Sequence, residues 1–296
     1  MGITHTKVTV IADDPNYDVG ADEWNDDHVV TASDIPIVDT GSLITATEVE
    51  GALAELDGDL TTHAAAADPH TGYRLESVRV LESYSLVVQN MRPLAYWRLN
   101  ESTGTILYDR LGGYNGTYLN TPTLGVAGPL TGDPTTAVTF TAASSEAGEI
   151  PDTAPLHPGD TFSVNLWLKR VATGVDAHMF SNVVADDIQM WIWGGNDKLY
   201  LSKYAGAHAY TSTLAISDTN WHMLTITKAG ATVAGYIDGT ASANLAGGAT
   251  IVAGSGLTKI GEGTGFTNGS MAEVAVWNRA LSAAEVLTLY NVGTGA

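Results

Sequence analysis

Apolar and polar residues alternate along much of the C-terminal two-thirds of the chain, which predicts antiparallel β-structure. The clearest example spans residues 218–239, where the segments WHMLTIT and TVAGYI alternate and turn residues separate them. The second segment ends at Asp238-Gly239. This pair suits a type I′ turn, because both central residues of that turn need a positive φ. The region therefore predicts β-strands joined by a tight hairpin turn.

The same kind of pattern recurs from Pro93 to residue 279, where Gly, Asp and Asn separate short alternating segments. Many short strands with such punctuation predict a mainly β fold, a two-sheet antiparallel sandwich of the jelly-roll type. The predicted strands span residues 94–99, 137–142, 162–169, 187–193, 198–204, 209–214, 221–227, 232–237, 257–261 and 269–277.

Residues 45–92 show helical spacing instead. A capping box at Thr47–Glu50 begins one segment, and a second segment runs from Leu75 to about Gln89, before Pro93. Short helices of this kind are marginal alone. They either pack on the rest of the chain or, in the preferred interpretation, form an oligomerisation bundle. The apolar residues that would form the bundle are Val49, Leu53, Leu56, Leu60, Leu75, Val78 and Leu81.

Two further regions flank this helical region. Residues 1–44 carry a short strand candidate and an acidic loop, with too little periodicity for a core of their own, so we expect them to become ordered by docking. Residues 93–296 form the predicted sandwich. They end in a short helix, because a capping box at Ser282–Glu285 precedes the apolar residues Val286 and Leu289.

Composition narrows the possible functions. The chain has 296 residues, a formal net charge of −20 and only 13 Lys and Arg residues, which argues against nucleic acid because phosphates require basic partners. It has no cysteine, which excludes disulfides and thiolate catalysis. No apolar segment is long enough to predict membrane insertion, and the first residues do not resemble a secretory signal. We therefore expect a chain that does not leave the cell by the general secretory route.

Four ordered phrases carry a family resemblance that covers residues 93–292. They are PLAYWRLNESTGTILYDRLGGYNGTY (93–118), TFSVNLWLKR (161–170), the WHMLTITKAG…GYIDG segment, and GSMAEVAVWNRALSAAEVLTLYN (269–291). Together they resemble the concanavalin A-like, laminin G-like jelly-roll domains. The resemblance implies a two-sheet sandwich that binds a glycan or a protein partner, in some members with a structural calcium ion. Fold alone does not establish function.

The same resemblance suggests a cation site. Asp109, with the loop residues Gly112 and Asn115, matches the family loop that supplies oxygen ligands to calcium. Calcium takes six to eight oxygen ligands, and this loop contributes one carboxylate. A solvated turn without metal is the alternative.

A second resemblance covers roughly residues 20–90. The blocks EWNDDH, EVEGALAELDGDLTTH and ADPHTGYRLES resemble N-terminal stretches of tailed-phage virion proteins, especially tail fibres and related appendages. The resemblance implies a homotrimer on the virion surface, assembled in the host cytoplasm and acting outside the cell. Residues 1–44 would contact other virion proteins. A receptor-binding appendage and a capsid or tail decoration protein are the two alternatives.

Catalytic patterns are missing from the sequence. Glycosidases of related fold place paired carboxylates on one strand, and no predicted strand carries that spacing. The nearest set, Glu146, Glu149 and Asp152, lies in a segment containing Gly and Pro, which predicts solvated loop charge. We therefore expect a protein that is not an enzyme, and a glycan depolymerase is the least favoured alternative.

An aromatic face is the best candidate for ligand binding. In DDIQMWIWGGNDKLYLSKY, alternation puts Ile188, Met190 and Ile192 on one face of a hairpin. Rings beside amide groups form a surface on which sugars stack and hydrogen-bond, although a subunit contact or a core position would also account for them. The residues on the candidate ligand face are Gln189, Trp191, Trp193, Tyr200 and Tyr204.

Overall fold

The computed structural model describes residues 84–183, 187–204, 206–246, 250–251 and 254–296. The chain divides into two compact units, Met1–Ser77 and Val78–Ala296, and every described residue lies in the second. The predicted attachment region, residues 1–44, lies outside the described residues. So do all seven residues of the predicted bundle, which are Val49, Leu53, Leu56, Leu60, Leu75, Val78 and Leu81.

The described part of the chain forms two α-helices and sixteen strands, besides two 3₁₀ helices of three residues each. The helices are α1 (Tyr84–Asn90) and α2 (Ala283–Thr294). The strands are β1 (Ala95–Trp97), β2 (Ile106–Leu107), β3 (Gly116–Leu119), β4 (Thr123–Ala127), β5 (Thr136–Phe140), β6 (Ala147–Ile150), β7 (Thr161–Arg170), β8 (Ala177–Asn182), β9 (Ile188–Trp193), β10 (Lys198–Lys203), β11 (His208–Ala215), β12 (His222–Ala229), β13 (Thr232–Ile237), β14 (Thr240–Ser242), β15 (Thr258–Ile260) and β16 (Gly269–Trp277).

These strands form two antiparallel sheets of eight strands each, which confirms the predicted mainly β sandwich. Sheet A has the order β14-β13-β12-β7-β16-β5-β4, with β1 also paired to β16. Sheet B has the order β11-β10-β9-β8-β15-β6-β3-β2. Neighbours that are distant in sequence, such as β7 and β16, show that long-range pairing holds the fold together.

Two apolar clusters bury the two faces of sheet A. The larger lies between the sheets and includes Trp97, Phe140 and Phe180. The smaller lies between sheet A and the two helices, where the rings of Trp167 and Tyr290 stack with centroids 6.2 Å apart. Sheet A is therefore buried on both faces, which leaves the outer face of sheet B as the sheet surface without a helical cover in the described structure.

Helix α1 docks on sheet A through a buried polar chain. The Asn165 amide donates to the Tyr84 hydroxyl over 2.8 Å, and the Thr225 hydroxyl donates to the Asn165 carbonyl oxygen over 2.6 Å. Burial raises the pKa of Tyr84 above its ordinary value, so its hydroxyl stays protonated. The described end of the second predicted helical segment thus packs on the sandwich.

Local signals predicted the secondary structure well where they were strong. Each of the ten predicted strands is present with bounds within two residues. Asp238 and Gly239 have φ values of 53° and 72°, which confirms the predicted turn, here between β13 and β14. The capping box is also confirmed, because Ser282 accepts from the Glu285 backbone N–H and the Glu285 carboxylate accepts from Ser282.

Six strands were not predicted, and one of them corrects an interpretation. β2, β3, β4, β6, β8 and β14 are short, rich in glycine or without alternation. Strand β6 contains Glu149 and Gly148, in the segment predicted to be a loop. Glycine lowers the strand signal, but a Cβ at Gly148 would lie 2.8 Å from the Leu107 side chain, so close packing explains the residue.

Candidate functional site

The predicted aromatic face lies on the outer surface of sheet B. Strands β9 and β10 pair with Trp191 opposite Tyr200 and Gln189 opposite Ser202. The alternate residues, such as Met190, are buried against the core. Strand alternation therefore places the predicted residues on one surface, as expected from the sequence.

The rings on this surface form a continuous cluster, the aromatic face, that includes two histidines absent from the prediction. His178 stacks on Trp191 with ring centroids 5.3 Å apart and an interplanar angle of 9°. Tyr200 lies 5.2 Å from Trp191, 6.2 Å from Trp193 and 4.9 Å from His208. His178 lies on β8, which was not predicted. His208 begins β11, and the alternation of that strand could have predicted which face of the sheet its side chain occupies.

The accessible part of the face is smaller than predicted. Trp193 is 45% exposed, but Tyr200 is 5% and Gln189 only 2% exposed. The Gln189 amide lies 2.8 Å from His178 Nδ1 and 3.1 Å from the Thr264 hydroxyl. Gln189 is therefore a buried hydrogen-bonding partner of the cluster, and its amide is not open to a ligand. Half-buried Tyr204 donates its hydroxyl to the Gly263 carbonyl oxygen over 3.4 Å. Trp193 therefore offers the open ring surface.

A glycine-rich loop, residues 261–266, covers one side of the cluster. It connects β15 and β16, and a bridge pairs Glu262 with Phe266. A Cβ on Gly265 would lie 2.7 Å from His178 Nε2. Burial lowers the pKa of His178, which favours the neutral ring that stacks on Trp191.

Hydrogen bonds connect Trp191 to His208 through Ser202. The Trp191 indole N–H donates to the Ser202 hydroxyl oxygen over 2.8 Å, and this oxygen lies 2.7 Å from His208 Nδ1. His208 is exposed, so its ring adds a polar group at the edge of the ring cluster.

Comparison with protein families agrees with this architecture. Residues 142–287 match the family described as the concanavalin A-like lectin/glucanases superfamily, laminin G type. This segment has the laminin G-like jelly-roll fold. No curated protein matches the chain by sequence.

Solved structures show the same fold at low sequence identity. Domain 4 of an extracellular arabinanase from Geobacillus stearothermophilus, in complex with arabinotriose, is 18% identical with a TM-score of 0.50, covering 66% of this chain and 97% of that domain. The binding domain of Paraclostridial Mosquitocidal Protein 1 is 15% identical, with a TM-score of 0.51 and coverages of 67% and 52%. Trypanosoma rangeli sialidase in complex with sialic acid is 12% identical, with a TM-score of 0.50 and coverages of 66% and 32%. This chain thus spans only about half and a third of the last two chains.

In the loop predicted to bind calcium, the Asp109 carboxylate binds backbone groups of the loop itself. Asp109 is 5% exposed, and its two oxygens accept from the backbone N–H groups of Tyr96, Leu111, Gly113 and Tyr114 at 2.9–3.1 Å. The side-chain oxygen of Asn115 accepts from the Asp109 N–H over 2.9 Å. Gly112 takes a φ of 79°, which the turn requires. The Asp109 carboxylate thus has four backbone donors, and calcium binding at this loop stays a prediction.

We expect Asp109→Ala to lower the free energy of unfolding by about 2–3 kcal/mol, because the buried Tyr96 N–H and three further donors lose their acceptor. Chemical denaturation measures this change. Thermal melts of the unchanged protein with and without a chelator separate the two roles. A lower melting temperature in chelator would support structural calcium, whereas a normal unfolding free energy for Asp109→Ala would contradict the hydrogen-bonding role.

The carboxylates near β6 do not form an open pair. Glu146 is 7% exposed and accepts from the Thr141 N–H over 2.6 Å. Glu149 lies 2.9 Å from Lys259, and the half-exposed Asp152 lies 3.1 Å from His157. The prediction of solvated loop charge is therefore wrong for Glu146. This side chain is buried, and its carboxylate accepts a hydrogen bond from the backbone of Thr141.

Two buried clusters of titratable side chains were not predicted by the sequence analysis. His157 binds the fully buried Asp187. Glu273, also fully buried, contacts the Tyr96 hydroxyl and the Arg98 guanidinium. Burial raises the pKa of Glu273 to about 7, although Arg98 and Tyr96 oppose the shift. The members of each cluster are far apart in sequence, so no local motif identifies them.

Within the described ranges, no group of three or more metal-ligating side chains lies together. No helix in that part of the structure is long and apolar enough to cross a membrane.

Proposed function

We propose that the laminin G-like domain is a non-catalytic carbohydrate-binding module that recognises a glycan on a host cell surface. The observation that carries this proposal is the exposed Trp193 ring, which contacts Tyr200, and Tyr200 in turn contacts the exposed His208 ring. A flat ring offers an apolar surface to the C–H groups of a sugar, and a neighbouring donor binds a hydroxyl or ring oxygen.

The rigidity of the aromatic face supports the same proposal. Trp191 is held between His178 and Tyr200 and hydrogen-bonds to Ser202, so the ring surface exists before a ligand arrives. A preformed surface lowers the entropic cost of binding. Domain 4 of the arabinanase, which this chain covers almost completely, was solved in complex with arabinotriose, and this supports a saccharide as the ligand here.

The absence of catalysis is part of this proposal. The candidate pair near β6 is engaged internally, with Glu146 on a backbone N–H and Glu149 on Lys259. A retaining or inverting glycosidase needs two carboxyl groups that face the bond to be cleaved. The described carboxylates near β6 therefore support a binding function rather than hydrolysis.

The biological setting rests on the sequence resemblance of residues 20–90. We propose that the chain is a surface appendage of a bacteriophage virion, such as a tail fibre, and that it is a homotrimer. Residues 1–44 would contact other virion proteins, and the domain would be displayed at the virion surface. A decoration protein, whose jelly roll contacts other virion subunits, is the competing function.

We expect Trp193→Ala to weaken binding of the purified protein to host cells about thirtyfold, which corresponds to about 2 kcal/mol for loss of a central aromatic contact. Labelled protein titrated onto cells measures the change. Periodate oxidation of the cell-surface glycans should abolish binding of the unchanged protein.

Leu287→Ala provides a matched control, because Leu287 is 47% exposed but lies on α2, beside the other sheet. It should bind cells normally. Equal binding of the Trp193 and Leu287 variants would remove the aromatic face from the proposal. Binding that survives periodate would indicate a protein receptor, and no cell binding by the folded protein would favour the decoration function.

A further inference from the structure

A second surface feature lies at the opposite edge of sheet B from the aromatic face. It is a cavity of 410 Å³ beside β2, and we call it the β2 cavity. This volume suits a small ligand such as one sugar residue. Its lining residues are Arg98, Asn100, Glu101, Tyr108, Asp109 and Arg110. We propose that the β2 cavity is a separate saccharide subsite that takes a neutral sugar residue.

The cavity walls are held in place without a ligand. The Glu101 carboxylate accepts from the Tyr108 N–H over 2.9 Å and from the Tyr118 hydroxyl over 2.7 Å. Asp109 accepts four backbone N–H groups of the same loop and of β1. Arg98 is fixed by ion pairs of 2.9 Å to both Glu273 and Asp133. The surface is therefore preformed, and binding of a ligand requires little loss of side-chain entropy.

Several lining groups remain available to a ligand. Tyr108 lines the cavity and is 54% exposed, so its ring is open to a ligand. In the described structure the exposed side chains of Asn100 and Arg110 make no hydrogen bond or ion pair. An open ring beside an amide and a guanidinium is the set of groups that binds the C–H face and the hydroxyls of a sugar.

Charge favours a neutral sugar over an acidic one. Two guanidinium groups line the cavity, but the carboxylates of Glu101, Asp109 and Asp133 lie in it or contact Arg98. The chain as a whole carries a net charge of −20. A sugar carboxylate would add repulsion at this site, whereas neutral hydroxyls bind both donors and acceptors.

The β2 cavity is well separated from Trp193. Five strand spacings divide β9 from β2 in sheet B, which is about 24 Å at about 4.8 Å each. One monosaccharide therefore does not reach both places. The subsite would exist whether or not Trp193 binds a glycan, so it extends the proposed function without depending on that residue.

Nuclear magnetic resonance titrations of the full chain test the proposal with L-arabinose, D-galactose, D-glucose and N-acetylneuraminic acid. We expect at least one neutral sugar to shift the amide signals of residues 98–111 with a millimolar dissociation constant. N-acetylneuraminic acid should bind there about tenfold more weakly. Tyr108→Ala should weaken the neutral sugar about tenfold, also in a Trp193→Ala background.

Leu111→Ala is the control, because Leu111 is an exposed apolar residue of the same loop that does not line the cavity. It should leave sugar binding unchanged. The proposal is overturned by any of three results: no neutral sugar shifts these signals, Tyr108→Ala and Leu111→Ala behave alike, or the acidic sugar binds as tightly as the neutral ones. Signal dispersion shows that each variant is folded.

Discussion

Replacing His157 with alanine should lower the free energy of unfolding by about 3–5 kcal/mol. His157 is 3% exposed, and its Nδ1 faces a carboxylate oxygen of Asp187, which is fully buried. Removing the imidazole takes the closest partner away from a fully buried carboxyl group, and breaking a buried pair of this kind costs about that much. Denaturant titration with a tryptophan fluorescence signal measures the change.

The buried pair also joins three chain segments. His157 Nε2 lies 3.0 Å from the Gly256 carbonyl oxygen, and Asp187 accepts from the backbone N–H groups of Ile188 and Gly254 over 2.8 and 3.2 Å. Asn182 donates to the Leu156 carbonyl oxygen over 2.7 Å beside it. Loss of the imidazole therefore loosens all three segments together, and we expect local proteolysis there as well.

His222 provides a matched control for this variant. It also lies between two aspartates, with Asp238 at 2.7 Å and Asp218 at 2.9 Å, but their side chains are 28% and 49% exposed. Exposed ion pairs contribute less than about 1 kcal/mol. His222→Ala should therefore cost much less than His157→Ala. Similar losses for both variants would show that burial does not decide the effect.

The second large effect is a pH dependence that Glu273→Gln should remove. Burial holds the folded-state pKa of Glu273 at about 7, above its ordinary value of 4.5. Between these two values the folded protein keeps a proton that the unfolded chain releases. The contribution to stability is therefore full below pH 4.5 and is lost as the pH rises through 7. Its slope is at most about 1.4 kcal/mol per pH unit.

The measurement is the free energy of unfolding of both proteins at several pH values from 5 to 8. Relative to Glu273→Gln, the unchanged protein should lose about 3 kcal/mol over this range. His222, whose pKa is raised by Asp238, and His178, whose pKa is lowered by burial, also titrate here. Both are present in the two proteins, so their effects cancel in the difference. Parallel stability curves would contradict the assignment to Glu273.

Much of the sandwich could be predicted, because its signals are local. β13 alternates and ends at a turn pair whose positive φ values are 53° and 72°, and β16 was predicted with its observed bounds. Strand β8 was not predicted, and the reason is physical. Its six residues, Ala177–Asn182, are all buried, because neighbouring strands and the 261–266 loop cover both faces and alternation disappears.

The candidate site was predicted in part. Alternation placed Trp191, Trp193 and Tyr200 on one surface, since side chains two residues apart point the same way. It could not show that Tyr200 is 5% and Trp193 45% exposed, because the neighbours that cover each ring come from other strands. His178 was not predicted to lie in the site, because it comes from the neighbouring strand β8.

The sequence by itself determined the strand and helix positions, the hairpin turn and the helix cap, because each depends on residues within a few positions of one another. The tertiary structure alone decided which ring is open, where Glu273 and Asp187 find their partners, and that Asp109 binds four backbone N–H groups. These features join β1 to β16, β8 to the 261–266 loop, and residue 157 to residue 187. They arise from pairings across the sheets, which leave no periodic signal along the chain.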